Sequence, residues 1–100
     1  MTLMANKTIK TSKIKEWEIA RNKLKEIYED KGIMTCELRF KDCWINNGLS
    51  FHHRHKRIWY YSQPEKLGEF NQTILVCPVC HQLIENNREL NREVFKRLRK

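Results

Sequence analysis

Four cysteines and four histidines carry most of the chemistry open to this chain. Cys36 and Cys43 are separated by six residues, Cys77 and Cys80 by two, and His81 follows directly. Between the two pairs lies Phe51-His52-His53-Arg54-His55-Lys56-Arg57. Thiolate sulfur is a soft donor, and four sulfurs drawn from distant segments close a tetrahedral shell around zinc. Cys36, Cys43, Cys77 and Cys80 are therefore expected to hold a structural Zn2+. Two disulfides are the competing reading, and four unrelated thiols a third. The histidines are left for a second centre with a different task.

The elements that must position these residues have to come from a short chain. One hundred residues make one domain, and a hydrophobic fraction of 40% against 32% charged residues leaves it short of apolar material. A metal clip is the usual remedy at this size. Twenty Lys and Arg against 12 Asp and Glu give a formal charge of +8, which predicts a polyanionic partner, nucleic acid first. No apolar run approaches the roughly 20 residues of a membrane span, so no membrane role is expected. The start, Met1-Thr2-Leu3-Met4-Ala5-Asn6-Lys7, lacks the apolar stretch of a secretory signal. A reducing, cytoplasmic setting follows, in which cysteines bind metal more often than they pair.

Residues 1–11 read as a flexible basic arm and 12–100 as a single domain with its core over 36–87. Ile14, Trp17, Ala20, Leu24, Ile27 and Tyr28 recur at helical spacing, with Ser12 as N-cap and Gly32 as the stop. This helix is expected to pack across the metal-bound core. Residues 36–43 form an irregular knuckle, and Asn46-Asn47-Gly48 is a turn. Leu49 to His53 reads as a first strand and Thr73 to Val76 as a second. The connection between them contains Trp59, Tyr60, Tyr61 and the breakers Pro64 and Gly68. Pro78 fits a first helical position, so a helix runs from there to about Ile84, and a last one from Arg88 to about Arg99. The centre reads strand, loop, strand, helix.

A His-His pair on a first strand, a second strand, and a helix opening on Cys77-Pro78-Val79-Cys80-His81 resemble the HNH nuclease family. The likeness covers roughly Cys36 to Asn87. It implies a small zinc-stabilised α+β fold, a ββα-metal core flanked by an N-terminal and a C-terminal helix. It also implies a metal-dependent endonuclease hydrolysing DNA phosphodiester bonds by nicking or double-strand cleavage. Carried over by motif, His53 matches the general base, while His52 and His81 match ligands of a catalytic divalent metal (Mg2+, Mn2+, Ni2+ or Zn2+). Asn71 is the candidate for the middle Asn that orients the loop, with Gln72 one position closer to Cys77. Glu85, one helical turn after His81, is a further candidate ligand. A small freestanding domain of this kind also looks like those of bacteriophage genomes, which would place it in the host cytoplasm.

The chemistry suits these residue types. A neutral imidazole near pH 7 can take a proton from water, and a divalent metal can neutralise charge on the transferring phosphate. On a helix, Cys80 and His81 point about 100° apart, so one can face zinc and the other a second metal. Adjacent strand residues face opposite ways, so His52 and His53 share a centre only if the strand ends or twists there. His55 is the alternative base. Arg54, His55, Lys56 and Arg57 are expected to grip phosphates, with double-stranded DNA as partner. Trp59, Tyr60 and Tyr61 either stack on bases or cover the core. The last helix, with Arg88, Arg92, Lys96, Arg97, Arg99 and Lys100, is either a solvated end or a second phosphate-tracking surface.

Two other readings compete. One is a noncatalytic zinc-stabilised module that binds nucleic acid. The other is an interaction domain whose first helix docks a protein partner, and a homodimer is left open as well.

Overall fold

The computed structural model describes the backbone of residues 2–99 and the side chains of residues 14–99. Three α-helices and a two-stranded antiparallel sheet make a small α+β fold. Helix α1 spans Thr2–Lys31, so Ser12 falls within it rather than at its start. Residues 2–11, expected as a flexible basic arm, belong to this helix, while their side chains lie outside the described residues. The helix stops where expected. Gly32 takes φ +72°, its N–H bonds the Glu29 carbonyl at 3.0 Å, and the Ile33 N–H reaches back to Tyr28 at 2.9 Å. That pair of bonds satisfies carbonyls the helix end leaves open.

Strands β1 (Ser50–His53) and β2 (Thr73–Val76) pair with Phe51 opposite Leu75 and His52 opposite Ile74. Every residue of β2 is buried, because both faces of the hairpin are covered. Ile74 and Val76 point into a core with the cysteines, Ile84, Val94 and Phe95. Leu75 points the other way, against Leu24 and Tyr28 of α1, with Phe51 and Phe70 beside them. Side chains alternate along a strand, so one short hairpin serves two cores. The expectation that α1 packs across the metal-bound core is thereby corrected: it packs on the opposite face. Its apolar stripe is spent there, and Ile14 stays exposed.

The long connection between the strands folds into three 3-10 turns, Arg57–Tyr60, Pro64–Gly68 and Phe70–Gln72. The second lies against α1, where a Cβ on Gly68 would meet the Ala20 Cα at 3.4 Å. Tyr60 is buried and bonds both ends of the connection, accepting from the His55 N–H at 3.2 Å and donating to Gln72 Oε1 at 3.0 Å.

Helix α2 (Pro78–Glu85) has Pro78 at its start and Cys77 as N-cap, as its residues predict. Helix α3 (Arg88–Leu98) is capped by Asn87, whose Oδ1 accepts from the Leu90 N–H at 3.0 Å. Just past it, the side chain of Arg99 is nearly covered. Its Nη2 meets the Glu37 carboxylate at 2.7 Å and its Nε donates to the Thr73 and Phe70 carbonyls. Glu37 in turn accepts the Leu75 N–H at 2.7 Å, closing the free edge of β2. Arg99 is therefore a staple and not part of a phosphate-tracking face; Lys100 lies outside the described residues. No described helix is long and apolar enough to cross a membrane.

Candidate metal centres

The knuckle from Cys36 to Gly48 is irregular because it aims backbone N–H groups at sulfur. Arg39, Asp42 and Ile45 all take positive φ, an uncommon choice for non-glycine residues and a costly one for β-branched Ile45. With that geometry Ile45 donates to Cys43 Sγ at 3.3 Å and Trp44 to Cys77 Sγ at 3.4 Å, while the Cys36 N–H bonds the Ile45 carbonyl at 2.7 Å. Gly48 lets the knuckle close on α2, since a Cβ there would meet the Pro78 ring at 2.9 Å.

The four cysteine sulfurs consequently lie within 4.8 Å of one another, and all four cysteines are free. Cys43 and Cys77 sulfurs sit 3.6 Å apart, well beyond a disulfide bond of about 2.05 Å. Burial opposes ionisation of Cys77, but N–H groups of Cys80 and Trp44 and the neighbouring thiols outweigh it and bring the thiol down to about 6. Burial pushes Cys80 up, and Cys43 likewise. One ready thiolate in a closed shell of four soft donors fits a structural zinc, which removes the other thiol protons on binding.

A second group lies on the neighbouring surface of α2. His52, His81 and Glu85 bring ligand atoms within 4.8 Å of one another. The His52 and His81 rings are 5.0 Å apart, and His81 Nε2 is 3.3 Å from the Glu85 carboxylate. His52 is buried, which lowers its pKa and keeps the imidazole neutral. Its Nε2 lies 2.6 Å from Asn91 Oδ1, and the Asn91 amide nitrogen donates to the Arg54 carbonyl at 3.1 Å. Two nitrogens and a carboxylate with open positions around them suit a divalent metal.

His53 does not join this group. The end or twist of the strand that would bring both histidines to one centre is not found: β1 stays regular through His53, which pairs with Thr73 and turns toward α1. Its ring meets Trp17 edge-on at 5.1 Å and Tyr60 at 5.3 Å, and Nε2 donates to the Leu67 carbonyl at 2.9 Å. A carbonyl can only accept, so Nε2 carries the proton and Nδ1 is left as the basic nitrogen. Burial, with Arg57 nearby, lowers the pKa of this imidazole too.

His52 and His53 nonetheless line the same open cleft of about 1040 Å3. Arg54, Lys56, Arg57, Arg88 and Arg92 line it as well, against one carboxylate, Glu85. His55 is exposed, lines the cleft as well and stacks on Trp59 at 4.1 Å. Of the two candidates for the middle motif position, Asn71 is exposed and meets Arg54 only through its backbone carbonyl, at 3.4 Å. Gln72 is buried, takes the Tyr60 hydroxyl, and its carbonyl accepts the Arg54 N–H at 2.8 Å. Gln72, rather than Asn71, therefore makes the side-chain bond that ties the connection to Tyr60. Asn91 enters the site from a helix outside the motif, with no local pattern to mark it, whereas Trp17 comes from the apolar stripe of α1 and Arg88 and Arg92 from the basic last helix. No family model, curated protein or solved structure matches the chain.

Proposed function

We propose that this protein is a metal-dependent endonuclease of the HNH type that hydrolyses DNA phosphodiester bonds. The observation that carries this reading is the placement of His52, His81 and Glu85 in a cleft lined by five cations. A cationic cleft selects a polyanion, and a divalent ion held by those three residues would neutralise phosphate charge and stabilise the departing 3′ oxygen.

The rest of the chemistry falls to residues of the chain. Arg54, Lys56, Arg57, Arg88 and Arg92 hold the phosphodiester backbone in the cleft. His53 accepts the proton of the attacking water at Nδ1, and the Leu67 carbonyl steadies the imidazolium through Nε2. Trp17 and Tyr60 fix the ring, and Gln72 holds the connection that carries Leu67. The products would be 5′ phosphate and 3′ hydroxyl ends. Such a centre cuts one strand at a time, and two cuts need a second copy or a second visit.

One observation favours a second reading. His53 faces α1 while His52 faces α2, as expected if the histidines only support a noncatalytic zinc module that grips DNA. Incubation of supercoiled plasmid with magnesium, manganese or nickel separates the two. Relaxed circles under any one metal support the nuclease; tight binding with no relaxation under any of them supports the binding module.

A further inference from the structure

We propose that Asn91 is a positioning residue that fixes the tautomer of His52, so that α3 completes the metal centre. This inference rests on the divalent-metal reading of His52, His81 and Glu85.

The two ends of one amide do different work here. Asn91 Nδ2 is 3.1 Å from the backbone carbonyl of Arg54, a group that can only accept, so the amide orientation is settled. Oδ1 then faces His52 Nε2 at 2.6 Å, and an amide oxygen can only accept. His52 must therefore carry its proton on Nε2 and leave Nδ1 with a lone pair for a metal. A histidine ligand whose other nitrogen donates to a fixed oxygen is oriented and made more basic, and loss of such a partner costs about 10–100-fold in metal affinity.

The placement of Asn91 is itself built. Asn87 caps α3, and the Asn91 N–H bonds the Asn87 carbonyl at 3.0 Å, so the side chain sits on a helix whose start is pinned. Phe95, one turn on, lies against the same His52 ring at 5.9 Å. Arg54 directly follows β1, so the amide also ties the cleft-lining loop to α3.

The test uses the full chain with its cysteine site loaded with zinc. Cobalt or nickel is titrated calorimetrically into parent, N91L, N91D and H81A, and histidine tautomers are read from nitrogen chemical shifts. The parent should bind one further ion and show His52 protonated at Nε2. N91L should bind about 10–100-fold more weakly with mixed tautomers. N91D keeps the acceptor oxygen and should recover most of the lost affinity. Parent protein with His52 protonated at Nδ1 would overturn the inference even if no variant folds, as would N91L binding like the parent. Absence of a further ion in the parent, or H81A binding as tightly as the parent, removes the metal centre itself and this inference with it.

Discussion

His52 and His53 are neighbours on β1, yet their rings stand on opposite faces of the hairpin, one 5.0 Å from His81 and the other 5.1 Å from Trp17. In the proposed nuclease the pleat that separates them would also separate their tasks, with His52 holding a metal and His53 accepting a proton at the cleft rim.

That separation makes the two histidines distinguishable by substitution. H53A should lower nicking by about 10²–10⁴-fold, the usual worth of a general base, while calorimetry still detects the ion bound by His52 and His81. H52A should lose both. Equal nicking by H53A and the parent removes His53 from the base role.

Burial lowers the pKa of both His52 and His53, and the sign of the consequence follows. Between the depressed folded value and the ordinary value of about 6.5, the unfolded chain binds more protons than the folded one. Stability is full above that ordinary value and is lost as pH falls through the folded one. Without added divalent metal, the Tm of the zinc-loaded protein should drop from pH 7.5 to pH 5, and less so for H53Q. The acid limb of nicking should likewise have its midpoint below about 6.5. A Tm with the same acid dependence in parent and H53Q would show that His53 is not charged on unfolding.

The cysteine cluster should carry the fold. C77A or C80A, or removal of zinc by a chelator at neutral pH, should unfold the domain, because metal binding and folding are coupled in so small a core. Circular dichroism with metal analysis reads the outcome. A melt unchanged by loss of either cysteine would show that the hairpin and helices stand without the metal.

Local patterns reached much of this fold. The four-residue β2, the Pro78 helix start and the Gly32 stop each depend on neighbours in sequence and each is where its residues place it, and the paired cysteine spacing marks the sulfur cluster. What escaped depends on pairing across the chain. Arg99 looks like one more cation on a basic helix until Glu37, 62 residues away, meets it. Asn91 has no motif around it, and it meets His52 only because α3 folds against β1. The face of His53 follows from strand pairing, which holds β1 regular to its last residue.

The choice between Asn71 and Gln72 can be made by substitution as well. Q72A removes the acceptor of the Tyr60 hydroxyl and should loosen the loop that carries the Leu67 carbonyl, lowering nicking at least tenfold. N71A removes an exposed side chain and should nick within about twofold of the parent, as surface changes usually do. The reverse order would give the loop-holding role to Asn71.

The central claim is that His52, His81 and Glu85 hold the metal that cleaves DNA. Its most direct test is plasmid nicking by the zinc-loaded parent and H81A across manganese and nickel concentrations. The parent should relax the plasmid in a metal-dependent way, and H81A should fail to do so while keeping its fold and its zinc. Equal, metal-dependent relaxation by H81A would contradict the claim.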